Sequence, residues 1–112
     1  MTLKTSEWYR VKSTHQYCFV QKIPSAKSPG VSVSSADENT RGFEATVEWY
    51  APADEALQRW TKRVMILDLK KALALLRFPN EDDLPVLARV KALAPSLPVS
   101  AASRDGEFTW KV

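Results

Sequence analysis

Residues 43–49 alternate, with Phe43, Ala45, Val47 and Trp49 on one side and Glu44, Thr46 and Glu48 on the other. A period of two over that length predicts a half-buried strand with one wet face. Residues 107–112 repeat the pattern, setting Phe108, Trp110 and Val112 against Glu107, Thr109 and Lys111. Asp105-Gly106 just ahead suits a type I′ turn, which needs positive φ at both central residues, and so predicts a hairpin onto residues 99–103. Two more strands are expected over 7–12 and 16–23, joined at Ser13-Thr14-His15, with Pro24 ending the second. Residues 25–42 are rich in Ser, Pro, Gly and charge. They predict a flexible loop carrying a short strand at 31–34, which would pair with 43–49.

Between 52 and 78 the chain has no glycine and no internal proline. Pro52 suits a first helical turn, Asp54 and Glu55 suit the positive end of the dipole, and Phe78-Pro79 would stop a helix there. At about 100° per residue, Leu57, Trp60, Val64, Met65, Leu67, Leu69, Ala72, Leu75 and Leu76 fill an arc of roughly 200°. So wide an arc needs cover on two sides or a second molecule, and a homodimer through it is one expectation. The alternative reading breaks the segment at Asp68, leaving a buried strand over 64–67 and a second helix capped by that aspartate. Beyond it, Asp83 can cap a shorter helix with Pro85 in its first turn and Val86, Leu87, Val90 and Leu93 as its core stripe.

The pattern sums to an α+β fold in a single domain, 1–112: an antiparallel sheet of four to six strands packed against one long helix and one shorter helix. The chain's 112 residues suit one core, and the 45% hydrophobic and 26% charged fractions are those of a globular domain. Glu7-Trp8-Tyr9 and Glu48-Trp49-Tyr50 share three residues but no flanks, and so indicate similar strand surroundings rather than a duplication.

A net charge of +3 permits a phosphate partner without requiring one. A single cysteine, Cys18, cannot form an intramolecular disulfide. No window is apolar over the roughly 18 residues that a membrane span needs. A soluble, cytoplasmic protein is the expectation.

Candidate chemistry is sparse. Cys18 and His15, three apart, would lie on opposite faces of one strand, out of reach of each other as a nucleophile pair. One Cys and one His fall short of a zinc site, and Glu81-Asp82-Asp83 lacks the spacing and glycine of a calcium loop. The three glycines, Gly30, Gly42 and Gly106, form no phosphate-binding loop. No cofactor, metal site or catalytic constellation is expected. Asp68 would sit inside the apolar arc of a continuous helix, where it needs a partner such as Lys71 or a cap to fill.

Two surfaces suggest binding. On the long helix Arg59, Arg63, Lys70 and Arg77 would project within about 40° of one another, with Lys62 beside them and Ile66 and Leu73 between. The second is the strand face of Trp8, Arg10 and Lys12, able to stack on bases or to anchor a protein contact. Trp, Tyr and Arg dominate interface energetics, and no titratable groups converge. The expectation is therefore a small non-enzymatic protein-binding module, an inhibitor or adaptor occupying a partner's acidic surface. Small phage- or plasmid-encoded inhibitors share this profile of size and composition, an analogy only. The alternative is a nucleic-acid-binding module using the same two surfaces.

Overall fold

The computed structural model of the chain describes residues 1–40 and 44–104. The strands are β1 Leu3–Lys4, β2 Trp8–Val11, β3 Tyr17–Pro24, β4 Ser32–Val33, β5 Ser35–Ala36, β6 Glu44–Pro52, β7 Trp60–Asp68, β8 Leu76–Arg77 and β9 Val99–Arg104. Helix α1 covers Leu69–Leu75, and α2, Leu84–Leu93, is flanked by single 3₁₀ turns at Glu81–Asp83 and Ala94–Ser96. The main sheet runs β8-β2-β3-β6-β7-β9, with β4 attached to β3; β1 and β5 form a separate two-stranded sheet. The fold is α+β: an antiparallel sheet plus two helices. One pairing departs from antiparallel, since β9 runs parallel to β7 after a crossover that contains α2.

The longest ladder is β6–β7, in register from Glu44↔Asp68 to Pro52↔Trp60. Alternation along it sends Ala45, Val47 and Trp49, with Met65 and Leu67 opposite, to one face. There they meet Tyr9, Val11, Cys18 and Val20 from β2 and β3, Leu69 and Ala72 from α1, and Leu3 and Ala36 from the small sheet. Tyr17, Tyr50 and Trp60 point to the other face and pack against Leu87, Val90 and Ala94 of the α2 region. The face read as wet in 43–49 is thus largely covered, with Thr46 and Glu48 half-buried beside fully buried Tyr50.

The continuous helix over 52–78 does not form. Pro52 ends β6, and Asp54 turns the chain by accepting from the backbone N–H groups of Gln58 and Arg59 at 2.8 and 3.3 Å. Leu57 sits in the left-handed region at φ 57°. Residues 60–68 are then a strand, paired along its whole length with β6 and carrying β-branched Thr61, Val64 and Ile66, which favour a pleated surface. With apolar side chains on both faces, Val64-Met65-Ile66-Leu67 reads as a short unbroken apolar run, which periodicity cannot tell from a helix. The break falls at Asp68, whose carboxylate caps α1 by accepting from the Lys71 N–H at 3.0 Å. With the arc dissolved into strand, turn and short helix, the homodimer based on it loses its ground.

Other expectations stand closer. The strands read over 7–12 and 16–23 form as β2 and β3, and the helix after Asp83 with core residues Leu87 and Val90 forms as α2, but the Asp83 side chain makes no capping bond to it because Arg10, Arg77 and the Asn80 N–H hold its carboxylate. The short strand in the 25–42 segment exists as β4, but pairs with β3 through Ile23↔Val33 rather than with β6. The turn at 105–106 and the strand at 107–112 lie outside the described residues. Among the described residues, no helix is long and apolar enough to cross a membrane.

Trp60 is buried, sets its ring 6.1 Å from that of Tyr17, and donates its indole N–H to the Leu57 carbonyl at 3.1 Å. Trp60→Ala is expected to cost about 3–5 kcal/mol. Urea denaturation reads this directly, and an unchanged midpoint would remove Trp60 from the core beneath α2.

Candidate functional site

The α2-bearing face carries two clusters that the strand registers assemble. The first is at the sheet edge, where β2 pairs with β8 so that Arg10 lies opposite Arg77. Both guanidiniums reach the same carboxylate. Arg10 Nη1 donates to Asp83 Oδ1 at 2.7 Å, and Arg77 Nη1 donates to Oδ2 at 2.7 Å. Asp83 is only 3% exposed. Its Oδ2 also accepts the Asn80 N–H at 2.8 Å, while the Asn80 side chain accepts from the N–H groups of Asp82 and Asp83 in a capping box. One carboxylate therefore closes the start of the 81–96 helical segment and ties it to the sheet.

Burial by itself would raise the Asp83 carboxyl. The hydrogen bonds from Arg77 and Asn80, with the charges of Arg10 and Arg77, outweigh it and hold the group below its ordinary value of 3.8. Arg10 also donates through Nη2 to His15 Nδ1 at 3.1 Å and lies over the Tyr17 ring. Its Nε is buried with no hydrogen-bond partner among the described residues.

The second cluster lies inward along the same face. Register places Trp8 opposite Phe19, Phe19 opposite Glu48, and Glu48 opposite Val64. These side chains form a row across β2, β3, β6 and β7, with Ile66 two residues beyond Val64. All five are half-buried, with Trp8 and Phe19 packed against the cluster that Tyr17 and Tyr50 form with α2. Trp8 sets its ring 5.1 Å from both Phe19 and Tyr50. Within the row, Glu48 accepts from the Tyr50 hydroxyl at 2.8 Å and pairs with Lys62 Nζ at 3.2 Å. Burial, then the Glu48 hydrogen bond and charge, push the Tyr50 phenol well up from its ordinary value. At neutral pH Tyr50 is therefore a hydrogen-bond donor and not a base.

The residues singled out from sequence are scattered. Arg59 lies in the turn before β7 and pairs with Asp54. Lys62, Arg63 and Ile66 are on β7, Lys70 and Leu73 on α1, and Arg77 on β8. The stripe proposed for Arg59, Arg63, Lys70 and Arg77 required a helix that is absent, so it does not exist as a surface. Lys62 is committed to Glu48 and to the Ala94 carbonyl, and with Arg63 it helps line a groove of about 360 Å³ beside Trp60 and Val99. Trp8 and Arg10 do share a face, but Arg10 is engaged by Asp83 and Trp8 is stacked between aromatic rings. Lys12 lies past the end of β2, its N–H bonded to the Leu75 carbonyl.

Sequence reading missed Phe19, Val64 and Glu48, although the alternation of β3 already set Phe19 on the side of Tyr17. It also missed Asp83 as a bridge, because pairing across 73 residues leaves no local signal. Cys18 is fully buried on the opposite face, where burial raises its thiol, while His15 is exposed in the turn. No metal-binding group of His, Cys, Asp and Glu occurs among the described residues. Comparison of the chain with protein-family models, curated proteins and solved structures finds no match.

Because the folded Asp83 value lies below the unfolded one, its contribution to stability is complete above about pH 4 and is lost as pH falls through the folded value. At pH 7, Asp83→Asn is expected to cost about 2–3 kcal/mol, below the range for a fully buried pair because Arg10 and Arg77 keep 18% and 28% exposure. The gap between wild type and variant should narrow at pH 3 in urea denaturation. An equal gap at both pH values would show that the carboxylate charge is not what matters.

Proposed function

We propose that this protein is a non-enzymatic protein-binding module, an inhibitor or adaptor that acts by occupying a partner's surface. The observation carrying this reading is the half-buried row of Trp8, Phe19 and Val64, extended by Ile66, at the margin of the cluster that α2 covers. Aromatic and branched side chains held rigidly on strands bury area at small entropic cost, which makes them good anchors. The one charged pair in the row, Glu48 with Lys62, is already internally compensated.

The partner we favour presents apolar side chains with a carboxylate-bearing edge. Lys22 supports that choice. It stands opposite Thr46, which is itself opposite Ile66, and it forms no ion pair among the described residues. A free cation at the rim of an apolar row selects an anionic neighbour and speeds encounter with it. The nucleic-acid alternative has lost its principal support, since the basic residues it needed lie on separate elements and Arg10 and Arg77 are paired.

Ile66→Ser and Lys22→Glu are expected to leave the melting midpoint within a few degrees of wild type. Each should weaken binding about tenfold or more to a purified partner, first identified by crosslinking in the native cell and then measured by calorimetry. Nuclease should not disturb the complex. Loss of the complex to nuclease, or a fall of about 10³-fold or more between 50 and 200 mM salt, would replace this reading with nucleic-acid binding. Wild-type affinity in both variants would exclude the row as the contact surface.

A further inference from the structure

A cleft of about 330 Å³ opens just past the Trp8–Phe19 end of the row, where the polar residues Thr5, Ser6, Gln21, Lys22, Ser32 and Ser34 line it together with Val33. Two backbone irregularities build it. The β3–β6 register shifts between Val20 and Lys22, a bulge that breaks the alternation and leaves Gln21 and Lys22 both exposed. Bulges re-aim side chains in this way and are concentrated near functional sites. Ser6, across the cleft, is held at φ 61° with its N–H bonded to the Val20 carbonyl at 2.7 Å. A serine in the left-handed region is uncommon and costs conformational energy that surrounding structure must supply.

The chemistry of the lining is one-sided. Lys22 brings an ammonium, Gln21 an amide, and Ser6, Ser32 and Ser34 three hydroxyls; among the described residues none of these side chains is hydrogen-bonded or ion-paired. No carboxylate lines the cleft. Thr5 is tied back, its N–H and hydroxyl both directed at the Ser34 carbonyl, at 3.0 and 3.4 Å. An ammonium with three donors, an amide with two, and hydroxyls free to rotate favour a ligand rich in acceptors and negative charge.

We propose that this cleft is a binding site for a single tetrahedral oxyanion of the phosphoryl class. A phosphoryl group offers three or more strongly accepting oxygens and roughly two negative charges at pH 7, against two oxygens and one charge for a carboxylate. Lys22 supplies the charge, and the hydroxyls of Ser6, Ser32 and Ser34 with the Gln21 amide take the remaining oxygens. The site does not depend on the protein-binding reading, because free phosphate and a phosphorylated side chain carry the same group.

Titration of the ¹⁵N-labelled protein with inorganic phosphate, N-acetyl-phosphoserine amide and acetate tests it. Phosphate is expected to shift the amide resonances of Ser6, Gln21, Lys22 and Ser32–Ser34 saturably, with acetate at least tenfold weaker. Lys22→Gln should weaken phosphate about tenfold or more. Ser6→Gly, which suits the left-handed backbone while removing the hydroxyl, should weaken it several-fold without loss of thermal stability. Tighter binding of the phosphoserine amide assigns the group to a phosphorylated protein, tighter binding of phosphate assigns it to the free ion, and either upholds the site. Shifts that do not saturate, equal affinity for acetate, or wild-type affinity in Lys22→Gln would overturn it.

Discussion

The nine paired positions of β6 and β7 put apolar side chains on both faces of the sheet, and the other elements lie where they do because each face needs cover. Met65, Val47 and Trp49 call for α1 and the small β1–β5 sheet on one side. Tyr50 and Trp60 call for the α2 region on the other. A sheet with one wet face could have done without α2. Once Tyr17, Tyr50 and Trp60 share a face, leaving it bare would expose several large aromatic surfaces to water, at roughly 1.5–3 kcal/mol for each side chain.

Asp83 fixes how that cover is applied. Apolar packing alone would tolerate some sliding of α2 along the sheet, but a carboxylate bound by guanidiniums from β2 and β8 is directional. The same oxygens receive the Asn80 N–H and close the capping box. The start of the helical segment is thus pinned at the β2–β8 edge, and α2 runs from there over Tyr17 and Tyr50. Trp8 and Phe19 pack at the margin of that cluster, and with Val64 and Ile66 they stay half-buried.

The exposed row and the polar cleft adjoin along one face. Trp8 and Phe19 lead within two or three residues to Ser6, Gln21 and Lys22, and the bulge in β3 marks where apolar surface gives way to donors. An apolar contact next to a cation and hydroxyls that have no partner among the described residues is a natural arrangement for a partner that carries a negative group beside its own apolar residues. The row rests on strands and the cleft on strands and the short turns between them, so little ordering is needed on binding.

By itself the sequence determined the class of fold, the strands β2, β3 and β6, the helix after Asp83 and the core positions within them. Local signals suffice there: alternation up to Trp49, a proline in the first turn of the helix, and a 3.6-residue stripe of Leu87 and Val90. Residues 60–68 were ambiguous for a physical reason, since apolar Val64, Met65, Ile66 and Leu67 fall on both faces and erase the alternation that identifies strands. Whether that segment became helix or strand was decided by its nine-position pairing with β6, a contact no local window contains. The sites were decided at the same level. Arg10 looked like a free cation until the fold brought it to Asp83, 73 residues away, beside Arg77, and Phe19, Val64 and Ile66 became one surface only when strand register aligned them. Side-chain identity supplied the chemistry, and long-range pairing chose which groups would neutralise each other and which would remain available.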